Sequence, residues 1–280
     1  MITLSSADIN MWIAGLLWPL TRILGLLAAS PLFGNNSVPA TVKVSLGVML
    51  AMIVAPTVPA LPAADPLSMA GLLILAQEML IGLAMGFTIR IVFAAVEMAG
   101  EISSLTMGLG FATFFDPNTR GRSSAISQFL ALVATLGFLS VDGHLVLLSA
   151  LVESFTSLPI SATPIYSGGF KQMADWGGRI FSTGVQLSLP IVAALLITNV
   201  ALGILTRAAP ALNLFGIGFP ITLGVGLLVV AMVLPYLATP MQNLFLDGIE
   251  RARLMPRTWS QRTPPVEPAS LPNRPPGPAR

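Results

Sequence analysis

The sequence predicts an all-α, polytopic membrane protein built from helical hairpins with broken helices and a central irregular loop. Three observations carry this expectation. Hydrophobic residues make up 54% of the 280 residues and charged ones only 9%, where soluble domains carry roughly a quarter charged residues. The apolar residues gather into long runs separated by clusters of Pro, Gly and Asn. Several runs are too long or too short for a plain span of ~20 residues.

The same composition excludes whole classes of function. A net charge of +2 with no basic strip does not suit nucleic-acid binding. With no cysteine there are no disulfides, thiolate metal sites or thiol nucleophiles. His144 is the single histidine, and no HExxH, G-x-S-x-G or P-loop pattern occurs. Neither a catalytic residue, a cofactor nor a metal site is expected, and the chain reads as a non-enzyme.

Taken in order, the first apolar run covers about residues 9–33 and contains Pro19 and Arg22. The residues before it lack the basic region of a cleaved signal peptide, so the run is expected to be retained. Turn formers from Pro31 to Pro39 end it. A second run, about 42–55, is short and closes in Pro56, Pro59, Pro62 and Pro66. The third, about 67–106, is too long for one ordinary span and holds Glu78, Arg90, Glu97 and Glu101. Within it, Gly82-Leu-Ala-Met-Gly86 is a small-xxx-small step that lets another backbone approach closely. Gly216-Ile-Gly218 and Gly224-Val-Gly226 are expected to serve similarly. A fourth run, about 125–158, is notched by Asp142-Gly-His144, which reads as a hairpin turn or as a polar end exposed to water. Pro159 to Trp176 reads as a polar connection holding Lys171 and Asp175. The last two runs, about 179–207 and 212–239, are broken by Pro190, Pro210, Pro220 and Pro235. Residues 1–255 thus form one helical unit. Residues 256–280, rich in Pro and Arg, cannot bury enough surface to offset ordering entropy and read as a disordered tail.

The central loop follows the third run. Its helix should fail at Met107-Gly-Leu-Gly110, where two glycines weaken helical backbone and permit positive φ. Asp116-Pro-Asn-Thr-Arg-Gly121 reads as a turn, and Ser123 and Ser124 are candidate N-caps for the next run. Backbone of this kind cannot face lipid unpaired, so it must be wet, packed in protein or lining a cavity. An ordinary connection is one reading. Phe111, Phe114 and Phe115 favour a docked or gating segment.

Charges inside the apolar runs are the second set of candidates. On one helix Arg90, Glu97 and Glu101 fall within a wedge of about 40°, with Glu78 well away from it. A charge at the bilayer centre costs roughly 2.5–3.5 kcal/mol, so these side chains should face protein or water. Arg22, Arg179 and Arg207 are further isolated cations, and for Arg179 and Arg207, at the edges of their runs, snorkelling from helix ends is the simpler reading. Broken helices and midplane charges also suit a secondary transporter, although the two halves place their breaks differently.

Two stretches carry a family resemblance. The run GEISSLTMGLGFATFFDP, from Gly100 to Pro117, resembles the central segment of the FliR family of flagellar export proteins. So does NVALGILTRAAPALNLFGIGFP, from Asn199 to Pro220, and Arg22, Pro31, Val38-Pro39 and Lys43 fit the family's opening pattern. The likeness covers about residues 9–250 and leaves out the tail. It implies a chain similar to a fusion of FliP and FliQ, joining several copies of each in a type III export gate entered past FlhB. That gate belongs to the bacterial inner membrane and the flagellar basal body, and its cargo is exported flagellar proteins. The resemblance further implies that Met107, Gly108, Gly110, Phe111, Phe114, Phe115, Asp116 and Pro117 belong to a plug. It supplies protein partners for Arg22, Arg90, Glu97, Glu101 and Arg207, as buried assembly charges. A homologous subunit of a virulence secretion system is the runner-up, and an unrelated multipass transporter is the alternative from another class.

Overall fold

The computed structural model describes residues 6–59, 61–62, 64–111, 124–165, 168–209 and 214–260. Among these, eight α-helices and no strand are found: α1 (Ser6–Ala29), α2 (Ala40–Val54), α3 (Met69–Thr106), α4 (Ala125–Ser140), α5 (Gly143–Ser157), α6 (Gly168–Gly177), α7 (Arg179–Ala208) and α8 (Phe219–Ser260). Five described helical segments are long and apolar enough to cross a membrane, and the bent α4–α5 pair makes a sixth if taken as one span. The chain is an all-α membrane protein.

Helix α3 is the axis of the fold. Ser68 caps its start, accepting a hydrogen bond from the Gly71 amide at 3.1 Å. It then runs without a break for 38 residues. Its end falls at Met107, followed by Gly108 at φ 88°, the left-handed geometry that stops helices most cheaply at glycine. Helix α1 lies beside it in the same direction. A Cβ at Gly82 would strike the Arg22 carbonyl, and one at Gly86 would come within 2.6 Å of the Leu26 carbonyl. The small-xxx-small step therefore sets the α1–α3 approach. Of the later glycines, Gly226 has the same use against Met107, while Gly224 meets nothing within 4 Å.

The α4–α5 notch bends rather than reverses. Asp142 takes left-handed φ 53°, and the two helices meet at 66°, so the hairpin reading is replaced by a kinked passage. Inside that bend Phe138 sits against Phe93 of α3 and Phe245 of α8, with ring centroids 5.7 and 5.5 Å away. This aromatic triangle ties three helices together, in edge-on or tilted geometry favourable for rings.

Two boundaries differ from the sequence reading. The Pro159–Trp176 connection contains a helix, α6, whose Phe170 ring lies 5.2 Å from that of Trp259. Its Trp176 donates from Nε1 to the Thr88 carbonyl at 3.1 Å and lies under the Arg251 guanidinium at 4.2 Å. Helix α8 also continues through Pro235, Pro240 and Pro256 to Ser260. Residues 256–260 are helical because Met255, Pro256 and Trp259 pack inward, and that burial outweighs one missing helix hydrogen bond. Residues 261–280 lie outside the described residues.

Candidate functional site

Two places concentrate the candidate residues. The first is the root of the central loop. Met107, the last residue before the left-handed turn, is completely buried. Thr222 of α8 donates its hydroxyl to the Met107 carbonyl at 3.1 Å, and Gly226 leaves room for the thioether. Leu109–Phe111 then form a single 3₁₀ turn, with Gly110 close to the Leu105 side chain. The far root is held by α3 as well. Glu101 Oε1 accepts from the Ser124 amide at 2.7 Å, and Ser127 donates its hydroxyl to the Glu97 carbonyl at 2.9 Å. Ser124 is the N-cap of α4, accepting from the Ser127 amide at 3.2 Å. Both ends of the segment are thus tied to fixed helices. Phe114, Phe115, Asp116 and Pro117, with the expected turn through Gly121, lie outside the described residues.

The second place is a buried ion pair. Arg22 of α1 donates from Nε to Glu78 Oε2 at 2.6 Å and from a terminal nitrogen to Oε1 at 2.9 Å. The same guanidinium donates to the Ser154 hydroxyl at 3.1 Å and the Leu158 carbonyl at 3.0 Å, and stacks 4.4 Å above the Phe155 ring. Arg22 is 0% exposed and Glu78 2%. The two-point fit between a fork-shaped guanidinium and a carboxylate is the strongest ordinary side-chain pairing. The Leu158 carbonyl ends α5, where a cation also meets the negative end of the helix dipole. One side chain therefore clamps α1, α3 and α5 together. Beside it opens a cleft of about 570 Å³, walled by Gln77, Ile81, Pro159, Thr163, Ile165 and Trp259.

Arg90 and Glu97 stand exposed on α3, and neither side chain has a partner among the described residues. Glu101 is half-buried, and Arg207 is exposed in the last turn of α7. Sequence reasoning missed Glu78 as the partner of Arg22, because a wedge drawn on one helix compares only residues of that helix. The isolation of each charge in its own apolar run was the available signal. The Thr222–Met107 contact, between residues 115 apart, left no mark in the sequence.

The sequence profile of bacterial export proteins, family 1, matches residues 13–248. The chain belongs to that family. The match takes in Arg22, Glu78, the whole central segment and Arg207, and stops before Trp259. Named relatives agree with it. Flagellar biosynthetic protein FliR of Pectobacterium carotovorum subsp. carotovorum is 43% identical over 247 residues, covering 88% of this chain and 94% of that protein. The FliR of Escherichia coli K12 is 40% identical with the same coverage. That of Bacillus subtilis is 31% identical, over 83% of this chain and 90% of its own length. As a member of the FliR family, the chain keeps both of its candidate places within the shared region.

Proposed function

We propose that this chain is a non-enzymatic subunit of the flagellar type III protein export gate, which forms and seals the export channel together with FliP- and FliQ-type subunits. It is a component of the flagellar export apparatus, and the observation carrying this reading is the likeness to proteins named FliR across nearly their whole length. The finer role rests on two features. One is the amount of apolar surface left outward on α7 and α8, including Leu196, Ile197, Leu228 and Met232, which suits burial among other subunits or lipid. The other is the central segment, fixed at both roots and rich in phenylalanine, which suits a plug.

In this reading the chain resembles a fusion of FliP- and FliQ-like parts and sits in the bacterial inner membrane at the basal body. FlhB lies at the entrance, and unfolded flagellar proteins pass through. Met107, Gly108 and Gly110 form the near hinge of the plug. Phe111, Phe114 and Phe115 seal it by apolar contact, with Asp116-Pro117 as its rigid turn, since apolar constrictions exclude ions by dewetting. Arg22 holds the chain's own core, while Arg90, Glu97, Glu101 and Arg207 serve assembly.

Cells lacking the chain should stop secreting flagellar subunits, and continued secretion would contradict the role. Deleting Gly110–Phe115 should let a small impermeant solute leak through the assembled gate. Unchanged permeability in a deletion that assembles would make the segment a plain connector.

A further inference from the structure

Positions 69, 73, 76, 80, 83, 87, 90, 94, 97 and 101 of α3 alternate steps of four and three without a fault. All ten are exposed or half-buried, although α3 is otherwise the most enclosed of the long helices. A stagger of 3.5 residues is the seam that one helix presents to another lying along it. The seam is apolar at Met69, Leu73, Leu80, Leu83 and Phe87, then carries Arg90 and Glu97, and ends at Glu101, whose carboxylate is already engaged by the Ser124 amide. Arg90 and Glu97 occupy the same seam position one heptad apart, about 10.5 Å along the axis.

We infer that this face of α3 is the docking surface for one helix of a different chain, which places an acidic side chain opposite Arg90 and a basic one opposite Glu97. The inference rests on the gate-subunit reading and adds the partner's chemistry. Charge complementarity decides the occupant. Fluid lipid offers no fixed pair of opposite charges at this spacing, and an ion left unpaired in apolar surroundings is costly. A second copy of this chain fails as well. Two copies inserted in the same orientation pack α3 in parallel, which puts Arg90 against Arg90 and Glu97 against Glu97. A polar residue at a seam position fixes register and partner choice, and two of opposite sign do so more strictly. The apolar half of the seam supplies contact area, and the charged half selects which helix fits and where it stops sliding.

The test uses the full chain in its own cells, with a photoreactive phenylalanine analogue at Leu83 or Phe87 on the seam and at Leu72 or Met79 beside it. A single adduct to another membrane protein should form from the seam positions and fall at least tenfold from the neighbouring ones. Arg90→Glu should reduce that adduct at least tenfold at an unchanged level of the chain in the membrane. An acid-to-base change in the adducted helix should restore it. If Arg90→Glu lowers the level of the chain, Arg90→Gln with Glu97→Gln replaces it and should loosen register, spreading adducts over several residues of the partner. Adducts to lipid only, to a second copy, or unaffected by either charge variant would overturn the inference. An adduct that obeys the charges but joins a protein unconnected with secretion would leave the seam standing and refute the gate role. Loss of secretion in Arg90→Glu with an unchanged adduct would refute the seam and leave the gate role standing.

Discussion

Helices α3 and α7 are of similar apolarity, yet 67% of the most apolar window of α3 is buried within the chain and only 17% of that of α7. The difference lies in neighbours. Helix α3 is enclosed by α1, α4, α7 and α8, with Gly82 and Gly86 against α1 and Gly100 against the Ser127 backbone. Helix α7 buries Leu187, Ile191 and Leu195 along one face and leaves Leu189, Leu196, Ile197, Val200 and Ile204 outward. Hydropathy alone cannot separate a helix that builds its own chain's core from one that awaits lipid or a partner. The two should respond differently to mutation.

The largest effect is expected at the α1–α3–α5 clamp. Arg22→Ala strands the Glu78 carboxylate in the core, and losing one member of a buried pair costs about 3–5 kcal/mol. The level of the chain in the membrane should collapse, as measured by immunoblot after blocking synthesis. Trp259→Ala comes next, since removing a buried Trp costs about 3 kcal/mol or more. Truncation after Met255 should share that defect, whereas truncation after Ser260 should leave both level and secretion close to normal. Gly82→Val forces α1 away from α3 and should cost about 1–3 kcal/mol by overpacking, read as faster proteolysis of the membrane-embedded chain. The smallest effect on the chain itself is expected for Ile197→Ala on α7, within about 0.5 kcal/mol. There the readout that should move is recovery of the complex with its partners. A stability loss at Ile197 equal to that at Gly82 would erase the contrast between the two helices.

Much of this was legible in the sequence. The end of α3 at Met107-Gly108, the capping role of Ser124 and a close backbone approach at Gly82 and Gly86 follow from local chemistry, while α1 as the helix that approaches does not. What escaped depends on residues far apart in the chain. Arg22 meets Glu78 across 56 residues, and Trp176 reaches the Thr88 carbonyl across 88. The α6 helix hid among Pro159, Pro164 and Gly168 because turn formers mark where helices stop and say nothing about a ten-residue one between them. Pro256 misled in the same way. Its ring removes one hydrogen bond, but the buried face of Ala252, Met255 and Trp259 holds the helix through it. At the candidate site, the residue types of the central segment were readable, while its anchors on Thr222 and Glu101 were not.

This chain completes its own core around α3, and under the proposed function other subunits cover α7, α8 and the exposed seam of α3. The most direct measurement is affinity purification of the tagged chain from membranes, with and without co-expressed FliP- and FliQ-type proteins. The chain should recover those proteins in fixed proportion, and when made alone should aggregate or be degraded. A stable, monodisperse chain purified alone that binds a small solute would contradict the account and point to a transporter.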